Sequence, residues 1–279
     1  MTEHRHDAQL QRDVRRLAVH GTPRRRFLQL LACVAAVPLV GCGKETLADG
    51  EDDDTSGGGG GETESREDGE CAQIPEETAG PYPGDGSNGA NALALSGIVR
   101  SDITTSLGGA SGVAEGVPLT VELTLVNPSD GCTPLEGYAV YLWHCDREGN
   151  YSMYSARVKS ESYLRGVQET DQAGKVTFTT VFPGCYAGRM PHMHFEVYPG
   201  LAAATDASNK IVTSQLAFPV ATCEVVYEEE GYETSVRNFA QISFARDNVF
   251  SDGTELQLAA MTGSNEEGYV AKLVVGVSD

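Results

Sequence analysis

Residues 175–198 read KVTFTTVFPGCYAGRMPHMHFEVY. Both ends, KVTFTTVF and HMHFEVY, are short and rich in β-branched and aromatic residues, and they alternate in polarity as strands do. The PGC between them marks a turn. Working outward, the same signal recurs in PLTVELTLV (118–126), GYAVYLWHC (137–145), KIVTSQLAF (210–218) and YVAKLVV (269–275). The intervals NPSDG, DREGN, TDQAG and PGLAAATD are turn clusters, and only ETSVRNFAQ (233–241) carries a brief helical pattern. Short strands separated by turns predict an all-β fold, a β-sandwich with little helix and long active-site loops on its edges. The chain has no internal repeat and no glycine-rich nucleotide motif.

Upstream of this region the composition changes. Residues 24–28 are RRRFL, and the apolar run LQLLACVAAVPLV follows, ending in Gly41–Cys42. A basic segment, a short apolar segment and a small-residue cleavage point describe an export signal over 1–41. The run is shorter than the ~20 residues needed to cross a bilayer. The paired arginines resemble a twin-arginine signal. Leu39–Val40–Gly41–Cys42 resembles a bacterial lipobox, in which Cys42 would be lipidated and would anchor the protein outside the cytoplasm. Plain secretion with cleavage nearby is the alternative. Residues 42–70 are acidic, glycine-rich and nearly free of apolar side chains, a composition expected to form a flexible tether. The folded domain is then expected over 71–279.

With the signal set aside, 13 Lys and Arg face 37 Asp and Glu, a net charge of −24. Nucleic acid is therefore not an expected partner, because phosphate binding needs a basic patch. The domain holds five cysteines, Cys71, Cys132, Cys145, Cys185 and Cys223. The odd count leaves at least one unpaired in an oxidising compartment, and the spacing does not give the connectivity. There is no CxxC motif to suggest a zinc knuckle.

His192 and His194 sit two apart on a strand and so point to one face, with Met193 opposite. They are two of only three histidines beyond the signal, the third being His144. Such a pair is either tolerated by a core or wanted by a metal. Tyr186 follows the turn before the histidine strand, and Tyr151 follows the DREGN turn after another strand. Imidazole suits iron, copper, zinc and nickel alike, whereas a phenolate is a hard ligand that tilts the choice toward Fe(III). The residues by themselves predict a mixed Tyr/His metal site.

TAGPYPGDG (78–86), WHCDREGNYS (143–152) and FPGCYAGRMPHMHF (182–195), in this order, resemble the intradiol ring-cleavage dioxygenases. The resemblance spans most of residues 71–218 and implies a β-sandwich. It also implies a non-haem Fe(III) enzyme that opens a catechol-type ring between its two hydroxylated carbons with O2, giving a muconate-type diacid. Tyr151 matches the equatorial tyrosinate and Tyr186 the axial one, while His192 and His194 match the equatorial and axial histidines. Arg189 takes the place of an arginine that stabilises charge building on the ring, and Gln215 that of a glutamine orienting the oxygenated intermediate. Tyr82 is placed at the pocket mouth. The partners implied are a small aromatic diol and O2. The family's helical dimerisation region is replaced here by the tether, which leaves the oligomeric state open. Cys145 and Cys185 each lie close to a proposed ligand, and a disulfide between them would brace the site. The rival functional readings are a binding module on the same fold without turnover, and a zinc or copper site built on the histidines.

Overall fold

A computed structural model of the chain describes residues 71–278. The expected signal, the lipidated Cys42 and the tether fall on residues 1–70, outside the described residues. The first strand, β1 (Pro118–Asn127), alternates as PLTVELTLVN predicts: Leu119, Val121, Leu123 and Leu125 are buried, while the residues between them are partly exposed. Its neighbours are β5 (Lys175–Val181) and the two-residue β2 (Thr133–Pro134), both antiparallel to it. On its other side it runs parallel to β9 (Gly268–Gly276), which pairs in turn with the edge strand β8 (Ala260–Ser264).

The second sheet is antiparallel in the order β4 (Arg165–Glu169), β3 (Ala139–Trp143), β6 (His192–Tyr198), β7 (Val212–Ala217). Every residue of β3, β6 and β7 is buried. One face packs on the first sheet: Val140, Leu142, Met193, Phe195, Val197, Val212 and Leu216 join the leucines and valines of β1 in the main core. The opposite face, carrying Tyr141, Trp143, His192, His194 and Gln215, is roofed by loops instead of water. Pairing of Trp143 with His194, and of His194 with Gln215, sets these three side by side across three strands. The expected all-β sandwich is observed.

Two short helices follow β7. The expected one is α2 (Glu233–Phe239); an unexpected one, α1 (Val220–Val226), begins after Pro219 and buries Cys223 and Val226. Among the described residues no helix is long and apolar enough to cross a membrane. A disulfide joins Cys71 to Cys132, tying the start of the described chain to the turn after β1. The braced pair Cys145–Cys185 is not formed, and both thiols are free and buried. Cys145 belongs to the cluster outside the second sheet and its Sγ donates to the Gly184 carbonyl. Cys185 belongs to the core between the sheets and its Sγ donates to the Arg189 carbonyl. The two residues pack into different hydrophobic clusters.

Candidate metal centre

β6 carries both histidines, and two loops bring the tyrosines to them. The first loop leaves β3 and turns at Asp146, whose Oδ1 accepts from the Glu148 and Asn150 amides. Gly149 stands there at φ +86°, in the left-handed region, and passes so close to Tyr186 that a Cβ would lie 3.1 Å from that residue's Cβ. Glycine alone meets both demands easily, and Tyr151 emerges two residues later, fully buried. The second loop, 182–191, runs beside the first: Gly184 donates to the Asp146 carbonyl, and Tyr186 and Arg189 then face inward before Pro191 starts the histidine strand.

Three polar atoms converge on one point. Tyr186 Oη lies 3.0 Å from His192 Nε2, which is 3.1 Å from His194 Nε2. The Tyr151 ring packs edge-on against both Tyr186 and His194. Its buried hydroxyl has no hydrogen-bond partner. Trp143 stacks on His194 with ring planes 5° apart, and Gly80 (φ +67°) fits against the His194 ring edge, where a Cβ would sit 3.4 Å from Cε1. Ala79, Pro81 and Tyr82 complete the roof over a cavity of ≈ 10 Å³. Tyr82 stands where the mouth was expected, its ring against Tyr151 and Tyr154.

Arg189 forms one wall. Its Nη1 points at His192 Nε2 (3.4 Å), its Nη2 donates to Gln215 Oε1 (2.7 Å), and its Nε donates to Asp247 (3.0 Å). Gln215 donates its Nε2 to the Thr78 carbonyl, so both ends of its amide are engaged. Sequence reasoning missed Asp247, which stands in ARDNVF with no local signal to mark it. It also missed Arg165, which lies fully buried and donates to the Tyr82, Pro83 and Ser152 carbonyls, pinning the roof segment to the Tyr151 loop.

The third histidine does not join the centre. His144 Nδ1 meets the Cys145 carbonyl (2.8 Å) and its Nε2 meets Thr180 Oγ1 (2.7 Å), so both nitrogens are spent.

The electrostatics of the four converging groups fit a bound cation. Burial first, and then the Arg189 charge, hold His192 and His194 well below the usual histidine range, so both are neutral. His192 Nδ1 meets the Met190 carbonyl at 2.6 Å and must carry the hydrogen, which leaves the Nε2 lone pair facing the centre. Burial pushes both tyrosine hydroxyls upward, so that only a positive ion bound beside them would ionise them. A buried phenol without a partner costs about 1–3 kcal/mol, a cost that coordination would remove. Among the described residues no group of three or more His, Cys, Asp and Glu could hold a metal. A metal here depends on the phenols.

Residues 100–219 match a family model described as dioxygenase (Dioxygenase_C). Among solved structures, the chain is similar to the intradiol ring-cleavage dioxygenase from Tetranychus urticae, with 27% identity over 75% of this chain and 95% of that one and a TM-score of 0.58. A second solved dioxygenase gives 26% identity over the same shares and a TM-score of 0.57. The dioxygenase domain of a dioxygenase–carbohydrate-binding protein fusion from Streptomyces sp. SirexAA-E gives 24% identity, 74% and 100% coverage, and a TM-score of 0.45. No curated protein matches the chain. Residues 100–219 match the dioxygenase family model, and the chain is similar in sequence and fold to a solved intradiol ring-cleavage dioxygenase.

Proposed function

We propose that the protein cleaves a catechol-type ring between its two hydroxylated carbons, placing both atoms of O2 in a muconate-type diacid. Tyr151, Tyr186, His192 and His194 would hold Fe(III). The observation that carries this reading is the convergence of Tyr186 Oη and the two Nε2 atoms within 3.1 Å, beside the unpartnered Tyr151 hydroxyl. Bound there, ferric iron would supply Lewis acidity toward the two substrate oxygens.

The chain's own groups do the rest. Ionised beside a bound cation, Tyr186 Oη is placed to accept a hydroxyl proton from the diol. The Arg189 guanidinium, buried and fixed, faces the same point and stabilises negative charge that develops on the ring. Gln215 braces that guanidinium from the adjacent strand. Trp143 holds the His194 ring flat, and Tyr82 and Pro81 shield the cavity from water. Because the cavity is small, ring entry requires the Tyr82 side of the roof to shift.

Loading the metal-free protein with ferric iron tests the assignment. Visible absorption from tyrosinate–iron charge transfer should appear, and 18O2 should deliver two labelled oxygens into the diacid formed from a catechol. Protein that stays colourless after loading would refute the ferric site. Coloured protein that consumes no O2 across a catechol panel would favour a binding module. We also propose that the 1–41 signal exports the enzyme and that Cys42 anchors it by lipid; loss of fatty-acid labelling in Cys42→Ser is the expected result.

A further inference from the structure

Asp247 lies outside the matched residues 100–219, on the short turns that follow α2, yet it is fully buried behind the centre. Five contacts converge on its carboxylate. Oδ1 accepts from Arg189 Nε (3.1 Å), Val249 N (2.8 Å) and Phe250 N (3.2 Å). Oδ2 accepts from Arg189 Nε (3.0 Å) and Met190 N (2.6 Å). These contacts place the carboxylate behind two different parts of the proposed site.

The first part is Arg189. An arginine side chain has about 2 kcal/mol of rotamer entropy to lose, and here it is held on three sides. Asp247 takes Nε, Gln215 takes Nη2, and the Phe250 ring lies under the guanidinium with Cζ 5.6 Å from its centroid. Phe250 is itself seated by its backbone N–H, which donates to Asp247 Oδ1. Only Nη1 is left to face His192 Nε2. The second part is His192. Asp247 fixes the Met190 amide, and the carbonyl of the same residue receives His192 Nδ1. Pro191, between them, adds a fixed φ.

Resting on the proposed ring-cleavage reading, we infer that Asp247 is a positioning residue. Through one carboxylate it sets the reach of Arg189 toward the reacting point, and through Met190 it holds His192 as the Nδ1–H tautomer. Outer groups of this kind typically change activity by roughly 10–100-fold when replaced. Asp247→Asn keeps the shape but cannot accept at every one of these contacts, and it removes the counter-charge of Arg189.

Long-range 15N–1H spectra of the metal-free protein read the tautomer directly. Wild type should show His192 protonated at Nδ1 and a slowly exchanging Arg189 Nε–H. Asp247→Asn should mix the His192 tautomers and speed that exchange, and with iron present it should lower kcat about 10–100-fold while KM moves much less. Ile242→Ala, which removes packing from the same segment but leaves the carboxylate and its five contacts in place, should match wild type in the spectra and in kcat. A wild-type His192 protonated at Nε2 would overturn the inference without any variant. So would an Asp247→Asn protein with wild-type spectra and kcat, in which case ring cleavage would still stand. If wild type has no turnover but the spectra change as described, the positioning role stands and the ring-cleavage reading falls.

Discussion

His144 offers a test of the buried electrostatics that is independent of any metal. Its burial, opposed only in part by the bond to the Cys145 carbonyl, lowers its pKa from 6.5 to about 4. The unfolded chain therefore takes up a proton between pH 6.5 and 4 that the folded protein refuses, so stability is complete above pH 6.5 and is lost as pH falls toward 4. The whole window is worth about 3 kcal/mol. Between pH 7 and 4.5 the loss is about 2 kcal/mol.

The perturbation is His144→Gln, which can still reach Cys145 and Thr180 but does not titrate. Urea unfolding of metal-free wild type and variant at pH 7, 6, 5 and 4.5 supplies the difference in ΔG at each pH. His192, His194 and the carboxylates titrate in both proteins and cancel. At pH 7 the variant should be less stable, and this deficit should shrink by about 2 kcal/mol on reaching pH 4.5. A difference that stays constant with pH would refute the claim that His144 is buried neutral.

Three further outcomes are expected. Gly149→Ala forces a left-handed alanine, costing roughly 1–2 kcal/mol, and pushes on Tyr186 Cβ. Thermal melts should register the destabilisation, and kcat/KM should fall by up to about tenfold, since a 1 Å misplacement can cost ~100-fold. Tyr186→Phe removes the proton acceptor and should lower kcat by roughly 10²–10⁴ while changing the visible spectrum of iron-loaded protein; unchanged turnover would remove Tyr186 from the mechanism. Opening the Cys71–Cys132 bridge with Cys132→Ser frees a separation of 61 residues, which loop-closure entropy values at about 4 kcal/mol. The denaturation midpoint should drop accordingly, with kcat retained.

The legible parts of the sequence were those where side-chain periodicity and chemistry agree. PLTVELTLVN alternates because one face of β1 is in the core, and HMHFEVY is buried on both faces yet keeps its histidines on one. β4 gave no such signal. RGVQE is short and begins with an arginine, and its burial depends on carbonyls from Tyr82, Pro83 and Ser152 that only the folded chain assembles. AMTGS of β8 is an exposed edge without apolar alternation, and the VATCEVV of α1 is too apolar and too short to separate helix from strand by period. The proposed ligand set could be named from sequence because tyrosine and histidine carry their chemistry in every context. Asp247 was not, because a lone aspartate becomes a positioning group only through the N–H groups that surround it. The cysteines are similar: a pairing depends on which Cβ atoms converge, and the folded chain seats Cys145 and Cys185 in different clusters.

The parallel pairing of β1 with β9 has a consequence for synthesis. β9 is the last strand among the described residues, yet it lies between β1 and β8, with Leu119 matched to Tyr269 and Val126 to Gly276. Val275 and Val277 complete the same core as Leu119 and Leu125. A nascent chain lacking this strand would expose the unpaired edge of β1 and half a core, a state prone to aggregate. Folding of the first sheet must therefore wait until β9 has been made, and deleting residues 268–276 should leave that sheet unable to close its core.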